Sequence, residues 1–308
     1  MRALVTGANG FIGRHLVAAL LGDGADVVAL VRPGAAPPPG SIRIVRGDIT
    51  DESLLVATLG EHRPDVVYHL AANSEVTGSW NHPWNTLRVN TGGTLNLLQA
   101  LRTTALDSRL VAVCSSAEYG SPPQGHLAAE DDALRPDSPY GVSKLAADVL
   151  CTAFARAFGL DVVTARPFSI VGPGKTGDVV FDIVQAIVAA EAGGPRTVPI
   201  GDVSSVRDFV PVADAVSALM TIAASGASGA AYNICTGVPR TVRWVVGQLC
   251  ERALVEVTSV PSPERMRPAD TPFLVGDPQR LTELGWRPGQ ALEDCLSETL
   301  RYWRQIAP

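Results

Sequence analysis

Three glycines directly behind the first apolar run constrain the fold of this chain more than any other feature. The apolar run 3–5 is followed by Gly7, Gly10 and Gly13, and a helical pattern begins at Phe11. Strand, glycine turn and helix in this order form a cradle for a dinucleotide pyrophosphate, which the helix N-terminus also attracts. Gly7 permits the tight turn, Gly10 the close approach of the anion, and Gly13 the close helix packing. The predicted cradle comprises Gly7, Asn9, Gly10, Phe11, Ile12 and Gly13.

Apolar runs of strand length alternate with helical patterns through the first half of the chain. Such alternation is typical of repeated βαβ units, which build a parallel sheet covered by helices. Ligands of these sheets bind at the carboxyl ends of the strands. The predicted strands are 3–5, 27–31, 42–45, 66–70, 110–114 and 161–166, and the predicted helices are 11–21, 52–59, 86–101 and 140–158.

The pattern changes after Pro167 to shorter elements punctuated by glycine and proline. We therefore predict an α/β fold in which residues 1–167 form a doubly wound parallel sheet. Residues 168–308 form a smaller C-terminal substrate-binding lobe. A helical pattern and a strand-like run within residues 211–236 are expected to rejoin the sheet.

Composition excludes several classes of protein. The 308 residues are 46% hydrophobic and 18% charged, which predicts a globular chain. A net charge of -6 and the absence of a basic face argue against nucleic acid as a partner. The five cysteines are scattered and read as buried free thiols, and the five histidines lack metal-ligand spacing, so no metal is predicted. Without a signal peptide or a membrane-length apolar run, a soluble cytoplasmic protein is expected.

A second motif, Tyr140-Gly141-Val142-Ser143-Lys144, opens a later helix. Tyr140 and Lys144 are four residues apart, so their side chains share one face. A neighbouring ammonium favours the phenolate, which makes Tyr140 a usable acid or base near neutral pH. Ser116 follows the predicted strand 110–114 and is expected to hold the reacting oxygen. These residues predict a proton-transfer site.

The end of the second predicted strand bears on the choice of cofactor. An acidic residue there would bind a ribose 2′-hydroxyl, whereas this chain has Arg32, which can pair with a 2′-phosphate. NADP(H) is therefore favoured, with NAD(H) as the alternative. Further predicted contacts are Asp48 and Ile49 at the adenine, and Leu70, Ala71 and Ala72 along the dinucleotide trough.

Together these motifs resemble the extended short-chain dehydrogenase/reductase family over nearly the whole chain. The resemblance implies a Rossmann fold and hydride transfer at a sugar carbon. It implies that Tyr140 carries the proton and that Lys144 also contacts the nicotinamide ribose, with further cofactor contacts at Asn90 and Arg166. The residues that carry the resemblance are the three glycines, Ser115-Ser116, Tyr140 with Lys144, and Asn90 before Gly92-Gly93-Thr94.

Within that family the chain is most similar to the GDP-mannose branch. Arg207 and Arg267 match positions that bind the nucleotide diphosphate there, and a guanidinium suits phosphate oxygens. Ser74, Glu118 and Ser169 complete the implied substrate contacts. The branch usually has Asn-His where this chain has Ser169-Ile170, so a change of sugar or base is an alternative. The resemblance rests on segments 114–120, 166–168, 172–174, 206–209, 265–268 and 274–277.

The reaction type turns on Glu118. In related 4,6-dehydratases, a carboxylate two positions after the catalytic Ser or Thr removes a proton beside the C4 ketone, and Glu118 has that offset from Ser116. Reductases of the branch also carry a Glu before Tyr-Gly. The motif Ser-Ala-Glu-Tyr-Gly is closer to theirs than to that of the dehydratases, which have an extra residue before Tyr-Gly. Ser116, Glu118, Tyr140 and Lys144 are therefore the candidate catalytic residues.

We expect an enzyme in which NADPH reduces the 4-keto group of a nucleotide-activated 6-deoxyhexose, with GDP-4-keto-6-deoxy-D-mannose favoured. A 4,6-dehydratase and a 4-epimerase are the alternatives, and a non-catalytic NADP-binding sensor is a remote one. Helix 140–158 is apolar around most of its circumference, where a helix outside a sheet needs only one apolar stripe. The second apolar face predicts a homodimer.

Overall fold

A computed structural model describes residues 1–265 and 271–306 of the chain. Its strands are β1 Arg2–Thr6, β2 Asp26–Val31, β3 Arg43–Arg46, β4 Val66–His69, β5 Arg109–Val113, β6 Leu127–Ala128, β7 Val162–Pro167, β8 Ser169–Val171, β9 Thr197–Ile200, β10 Val206–Pro211, β11 Ala231–Ile234, β12 Pro239–Thr241, β13 Thr258–Pro261 and β14 Phe273–Gly276. Its α-helices are α1 Phe11–Gly22, α2 Glu52–His62, α3 Val76–Asn81, α4 Pro83–Leu87, α5 Gly93–Thr104, α6 Pro139–Phe158, α7 Val179–Glu191, α8 Val212–Ser225, α9 Val242–Glu251, α10 Gln279–Glu283 and α11 Leu292–Ile306.

Seven parallel strands form the large sheet in the order β11-β7-β5-β4-β1-β2-β3. The strands near its centre are buried on both faces, which explains their continuous apolar sequences. Helices α1 and α8 cover one face, and α2, α5 and α6 cover the other. The doubly wound α/β prediction is therefore confirmed. The strand order reverses at β1, between β2 and β4, which opens a ligand crevice at their carboxyl ends.

The second lobe is built around β10. This strand pairs in parallel with β8 and β14 and antiparallel with β12. Helices α7, α9 and α11 pack with it into a separate apolar core. Strand β11 returns to the large sheet by pairing with β7. None of the helices in the described part of the chain is long and apolar enough to cross a membrane.

Helix α6 shows how local sequence sets the ends of an element. Its N-cap Ser138 accepts a hydrogen bond from the Gly141 N–H at 3.1 Å, and Pro139 occupies the first turn. Gly159, with φ of 66°, ends the helix in the left-handed conformation. These signals place Tyr140 and Lys144 in the first two turns, at the carboxyl edge of the sheet.

The predicted helix 86–101 is divided in the structure. Helix α4 ends at Leu87, a π-helical turn spans Arg88–Gly92, and α5 begins at Gly93. Such single π-helical turns are frequent at functional sites. The Thr94 hydroxyl donates to the carbonyl oxygen of Asn90 at 2.7 Å and so binds a carbonyl within the turn. The turn directs the Asn90 side chain into the interior, beside α6.

Candidate active site

The glycine turn after β1 leaves no room for a side chain at Gly7 or Gly13, whereas Gly10 faces open space. Gly7 has φ of +68°, and a Cβ there would lie 2.7 Å from the Ala71 nitrogen. A Cβ at Gly13 would overlap the carbonyl oxygen of Gly7. A Cβ at Gly10 would meet only that carbonyl, at 3.1 Å, so the space in front of Gly10 is open. The turn therefore presents bare backbone to the crevice.

The N-terminus of α1 is available to an anion. Its N-cap Gly10 provides no side-chain hydrogen bond, and the first turn contains no acidic residue. By contrast, Asp51 caps α2 and Ser138 caps α6. Free N–H groups and the helix dipole at α1 fit a pyrophosphate. Asn9, Phe11 and Ile12 are all half-buried at this turn.

A segment of the second lobe lies over the glycine turn. The Lys175 ammonium is 5.1 Å from the centre of the Phe11 ring. His15 Nε2 lies 3.1 Å from the carbonyl oxygen of Pro173. Residues 173–175 therefore lie over the start of α1.

Buried polar side chains join the ends of β1 and β4 to the π-helical turn. His69 Nδ1 is 2.8 Å from the Thr6 hydroxyl, and its Nε2 is 3.1 Å from the Thr94 hydroxyl. Thr94 donates its proton to Asn90, so it accepts from Nε2–H, and Nδ1 accepts from Thr6. Thr6 Oγ1 in turn accepts from the Ala71 N–H at 3.2 Å. This series of hydrogen bonds holds the backbone of residues 70–72, the predicted trough, beside Gly7.

Two exposed arginines flank Asp48 at the far end of the crevice. Asp48 accepts from the Thr50 N–H and hydroxyl, both at 2.8 Å. The bond from the Thr50 N–H, with smaller contributions from Arg88 and Arg32, lowers the pKa of Asp48. Arg88 also donates to the Thr50 hydroxyl at 3.2 Å. Ile49 is buried against Gly93, so only its backbone faces outward.

Ser116, Tyr140 and Lys144 meet where β5 ends against the start of α6. Lys144 Nζ donates to the Val113 carbonyl oxygen at 2.8 Å, at the end of β5. Ser116 begins a short 3-10 turn, and a Cβ at Gly141 would lie 2.6 Å from the Ala117 carbonyl of that turn. Within the described residues, the hydroxyls of Ser116 and Tyr140 accept and donate no hydrogen bond. Both remain free for a substrate oxygen.

Asn90 is buried behind α6 and supports the position of Tyr140 and Lys144 through hydrogen bonds. Its amide donates to the Ser143 hydroxyl at 2.9 Å and to the Asn73 carbonyl at 3.0 Å. Its side-chain oxygen accepts from the Asn73 N–H at 2.7 Å. The Tyr140 N–H donates to the Ser79 hydroxyl at 3.2 Å. Asn90 is only 1% exposed, so it orients α6 and the loop after β4.

The structure contradicts the expected catalytic and substrate-binding roles of Glu118. Its side chain is 0% exposed, and a carboxyl oxygen lies within 4.8 Å of one of Asp148 on α6. One carboxyl oxygen accepts from the Ser115 N–H at 2.9 Å, and the other lies 3.3 Å from Nε of Arg166. The physical reason is the capping box of the 3-10 turn, which draws the carboxyl back toward Ser115. Glu118 therefore has no access to a sugar carbon.

The cofactor-binding expectation for Arg166 is also wrong. Its guanidinium is buried and donates to Asp148 at 2.8 Å, and to the Tyr119 hydroxyl and the Glu130 carbonyl at 3.0 Å. Side chains alternate along a strand, and this residue points to the face of β7 that α6 covers. Oxygens of Glu118 and Asp148 and the sulfur of Cys114 lie within 4.8 Å of one another. In this cluster the cation is the guanidinium itself.

The predicted substrate contacts lie in both lobes. Ser74 is exposed in the loop between β4 and α3, and Ser169 is half-buried at the start of β8. Arg207 is half-buried on β10, directly opposite Arg240 of β12. Arg267 falls outside the residues that the structure describes.

Three residues at the site escaped sequence reasoning. Arg88 reaches the Thr50 hydroxyl beside Asp48 from the π-helical turn, and the sequence carries no signal for that turn. Arg240 is brought to Arg207 by strand pairing, and its guanidinium lies 4.8 Å from the Trp244 ring. Asp148 could have been found, because it follows Tyr140 and Lys144 at the same four-residue spacing.

Comparisons with known proteins agree with this geometry. The family described as GDP-mannose 4,6 dehydratase matches residues 4–299. GDP-6-deoxy-D-mannose reductase of Pseudomonas aeruginosa is 33% identical, over 98% of this chain and 97% of its own. The structure of UDP-glucose 4-epimerase of Thermus thermophilus with NAD superposes with a TM-score of 0.89 at 32% identity, covering 99% of both chains. That of RMD from Pseudomonas aeruginosa with NADPH gives 0.86 at 32% identity, again covering 99% of both.

The fold and the site define an NAD(P)-dependent nucleotide-sugar enzyme of the extended short-chain dehydrogenase/reductase type. Within that type, the chain belongs to the GDP-mannose 4,6-dehydratase family. The resemblance predicted from the motifs is thereby confirmed. Relatives of this chain include reductases, epimerases and dehydratases of nucleotide sugars.

Proposed function

We propose that this enzyme uses NADPH to reduce the 4-keto group of a GDP-linked 6-deoxyhexose. The observation that carries the proposal is the burial of Glu118. A 4,6-dehydratase needs a base that removes a proton beside the C4 ketone, and the carboxylate at the expected offset is bound beneath α6. The serine, tyrosine and lysine set that remains is sufficient for reduction of a ketone.

Arg32 and Arg88 support the preference for NADPH. Both arginines are exposed and close enough to Asp48 to lower its pKa, at the end of the crevice where the adenosine ribose lies in a sheet of this kind. Guanidiniums bind phosphate oxygens strongly, and no acidic residue ends β2 to repel a 2′-phosphate. A reductase consumes its cofactor in every turnover, which agrees with a site built for NADPH.

Three side chains have separate roles at the reacting carbonyl. NADPH, when held at the glycine turn, would supply a hydride for C4. Tyr140 donates its phenolic proton to the C4 oxygen, so that a hydride and a proton together complete the alcohol. Ser116 donates a hydrogen bond to the same oxygen and orients the ketone. Lys144, held by the Val113 carbonyl, stabilises the tyrosinate left after proton transfer.

The variant Tyr140→Phe tests this division. Because the variant keeps the ring and loses only the proton donor, we expect kcat to fall about 10²- to 10⁴-fold. The Kd for NADPH, measured by fluorescence titration, should change by less than about threefold because the cofactor keeps its other contacts. A kcat close to that of the parent would overturn the assignment of Tyr140.

Arg207 and Arg240 support a nucleoside diphosphate as the carrier of the sugar. Residues directly opposite on antiparallel strands lie on the same face, so the pair concentrates positive charge suited to a diphosphate. The P. aeruginosa relative, which acts on a GDP sugar, supports guanine as the base.

A panel of substrates tests reaction and base together. The 4-keto-6-deoxyhexoses of GDP, dTDP and UDP are supplied in turn, and NADPH absorbance is followed. We expect one NADPH to be consumed per sugar, with the GDP compound as the best substrate. No consumption with any of the three would overturn the proposal.

A 4-epimerase is the second candidate, favoured by the TM-score of 0.89 to the UDP-glucose 4-epimerase. An epimerase regenerates its cofactor within each turnover. Tightly bound oxidised cofactor in the purified protein, together with interconversion of UDP-glucose and UDP-galactose, would identify this activity instead.

We further propose a homodimer formed through α6. Val142 and Val149 are 44% and 57% exposed and lie seven residues apart on one face of this helix. Sedimentation should give twice the chain mass for the parent, and Val149→Lys should lower it to the mass of one chain. A monomeric parent would contradict the dimer.

A further inference from the structure

Glu118 is a fully buried acid in the same 3-10 turn as Ser116, and the proposed reaction leaves it without a role. Its first carboxyl oxygen accepts from the Ser115 N–H at 2.9 Å. Its second oxygen, Oε2, has no hydrogen-bond partner within the described residues, although Nε of Arg166 lies 3.3 Å away. A buried oxygen left without a bond costs free energy, so this position demands a physical account.

A buried cluster of Glu118, Asp148 and Arg166 connects the turn that contains Ser115 and Ser116 to the face of α6 that carries Tyr140. Tyr140, Lys144 and Asp148 follow each other at four-residue spacing and share one face of the helix. Asp148 accepts from Nε of Arg166 at 2.8 Å, and the same guanidinium faces Glu118. Glu118 in turn holds the backbone of Ser115, the residue before Ser116. One buried connection therefore joins both halves of the proposed catalytic set.

The two halves also touch directly at the other end of the turn. The Ala117 carbonyl lies so close to α6 that a Cβ at Gly141 would be 2.6 Å from it. Gly141 stands between Tyr140 and the rest of the helix. A movement of the 3-10 turn would therefore be transmitted to the position of the tyrosine.

Charge balance in the cluster favours a proton on Glu118. Two carboxyl groups face a single guanidinium in the interior, so one of them is left without a counter-charge when both are ionised. Burial and the neighbouring Asp148 raise the pKa of Glu118 well above its usual range, against the opposing effect of Arg166. A proton on Oε2 can be donated to Asp148, which gives the unpartnered oxygen its missing bond.

We propose that Glu118 is a positioning residue that acts as the neutral acid, tying the Ser115–Ser116 turn through Asp148 and Arg166 to the Tyr140 face of α6. This inference rests on the proposed roles of Ser116, Tyr140 and Lys144. A displacement of about 1 Å in a catalytic group can lower turnover about 10²-fold. Glu118 therefore sets kcat without contacting substrate or cofactor.

Two substitutions separate positioning from acid–base chemistry. Glu118→Gln keeps an oxygen that accepts from Ser115 and gains an amide that donates to Asp148, whereas Glu118→Ala keeps neither. With the nucleotide sugar that the parent converts best, Glu118→Ala should lower kcat about 10²-fold. The KM for the sugar and the Kd for NADPH should stay within about threefold of the parent. Glu118→Gln should restore kcat to within about threefold.

Two kinetic outcomes overturn the proposal. An equal loss of kcat in both variants would mean that the ionisable carboxyl itself is required. An unchanged kcat in Glu118→Ala would mean that the connection does not position the serine turn. Where Glu118→Ala fails to fold, Glu118→Gln still distinguishes an ionisable role from a positioning role.

Infrared spectroscopy supplies a readout that needs no turnover. The difference spectrum between the NADPH-bound parent and NADPH-bound Glu118→Gln at neutral pH should contain the C=O stretch of a protonated carboxylic acid. A carboxylate band in its place would overturn the proposal. If the parent reduces no 4-keto sugar, the proposed function fails, while the spectrum still decides the state of Glu118.

Discussion

Two arginine clusters at the carboxyl edge of the sheet contain the same residue types and differ in burial. Arg32 and Arg88 are exposed near Asp48, and Arg88 donates only to the Thr50 hydroxyl and the Asn85 side-chain oxygen among the described residues. Arg166 is buried, and its guanidinium contacts Asp148, a tyrosine hydroxyl and a backbone carbonyl. The exposed guanidiniums are available to a ligand, whereas the buried one serves the protein itself. Residue type alone therefore does not distinguish a cofactor contact from a structural ion pair.

Removal of Arg166 is expected to have the largest effect on the stability of the protein. Arg166→Met leaves Glu118 and Asp148 buried without a cation, and loss of one partner from a buried pair costs about 3–5 kcal/mol. We expect the free energy of unfolding in urea to fall by that amount. Arg32→Met is the matched control, since its side chain is exposed, and should change stability by less than about 0.5 kcal/mol. Equal losses in the two variants would contradict the distinction.

In cofactor binding, Arg32→Met is expected to have the larger effect of the two variants. Arg32→Met removes the guanidinium that we propose binds the 2′-phosphate, so the Kd for NADPH should rise about tenfold or more, equivalent to about 1.4 kcal/mol. The Kd for NADH, which lacks this phosphate, should change little. Calorimetric titration with both nucleotides measures the difference. A similar loss for NADH and NADPH would remove the argument for NADPH.

His69 shows what burial does to a group that, unlike an arginine, can lose its charge. Burial, with a smaller effect from the Lys144 ammonium, lowers the pKa of His69 from 6.5 to about 3. Between these values the unfolded chain binds one more proton than the folded chain. The stabilisation is therefore fully present above pH 6.5 and is lost as the pH falls toward 3, by about 1.4 kcal/mol per pH unit.

Urea unfolding of the parent and of His69→Gln between pH 7.5 and pH 5 measures this contribution. The glutamine amide can still meet Thr6 and Thr94 and does not titrate, so the variant should lose stability less steeply on acidification. Parallel curves for the two proteins would show that His69 does not titrate as described.

The fold and the backbone of the glycine turn could be predicted from the sequence because both depend on local patterns. Gly7, Gly10 and Gly13 follow a strand and open a helix, and that context determines their geometry. Tyr140 and Lys144 were predictable for the same reason, since helical spacing alone puts them on one face.

Glu118 and Arg166 could not be placed by the same reasoning, because their orientation depends on tertiary structure. The residues before Tyr119 form a 3-10 turn whose capping box pulls the carboxyl of Glu118 inward. The direction of Arg166 follows from which face of β7 is covered by α6, and motif matching does not supply that information. Arg88 depends in the same way on a π-helical turn.

Isotope transfer tests the proposal that the enzyme transfers hydride to C4 and that Glu118 does not serve as a base for elimination. The enzyme is supplied with NADPH carrying deuterium at the transferable position and with the GDP-linked 4-keto-6-deoxyhexose, and the product sugar is analysed by NMR. The account predicts one deuterium at C4 for each NADPH oxidised. A product without deuterium, formed while NADPH is not consumed, would contradict it.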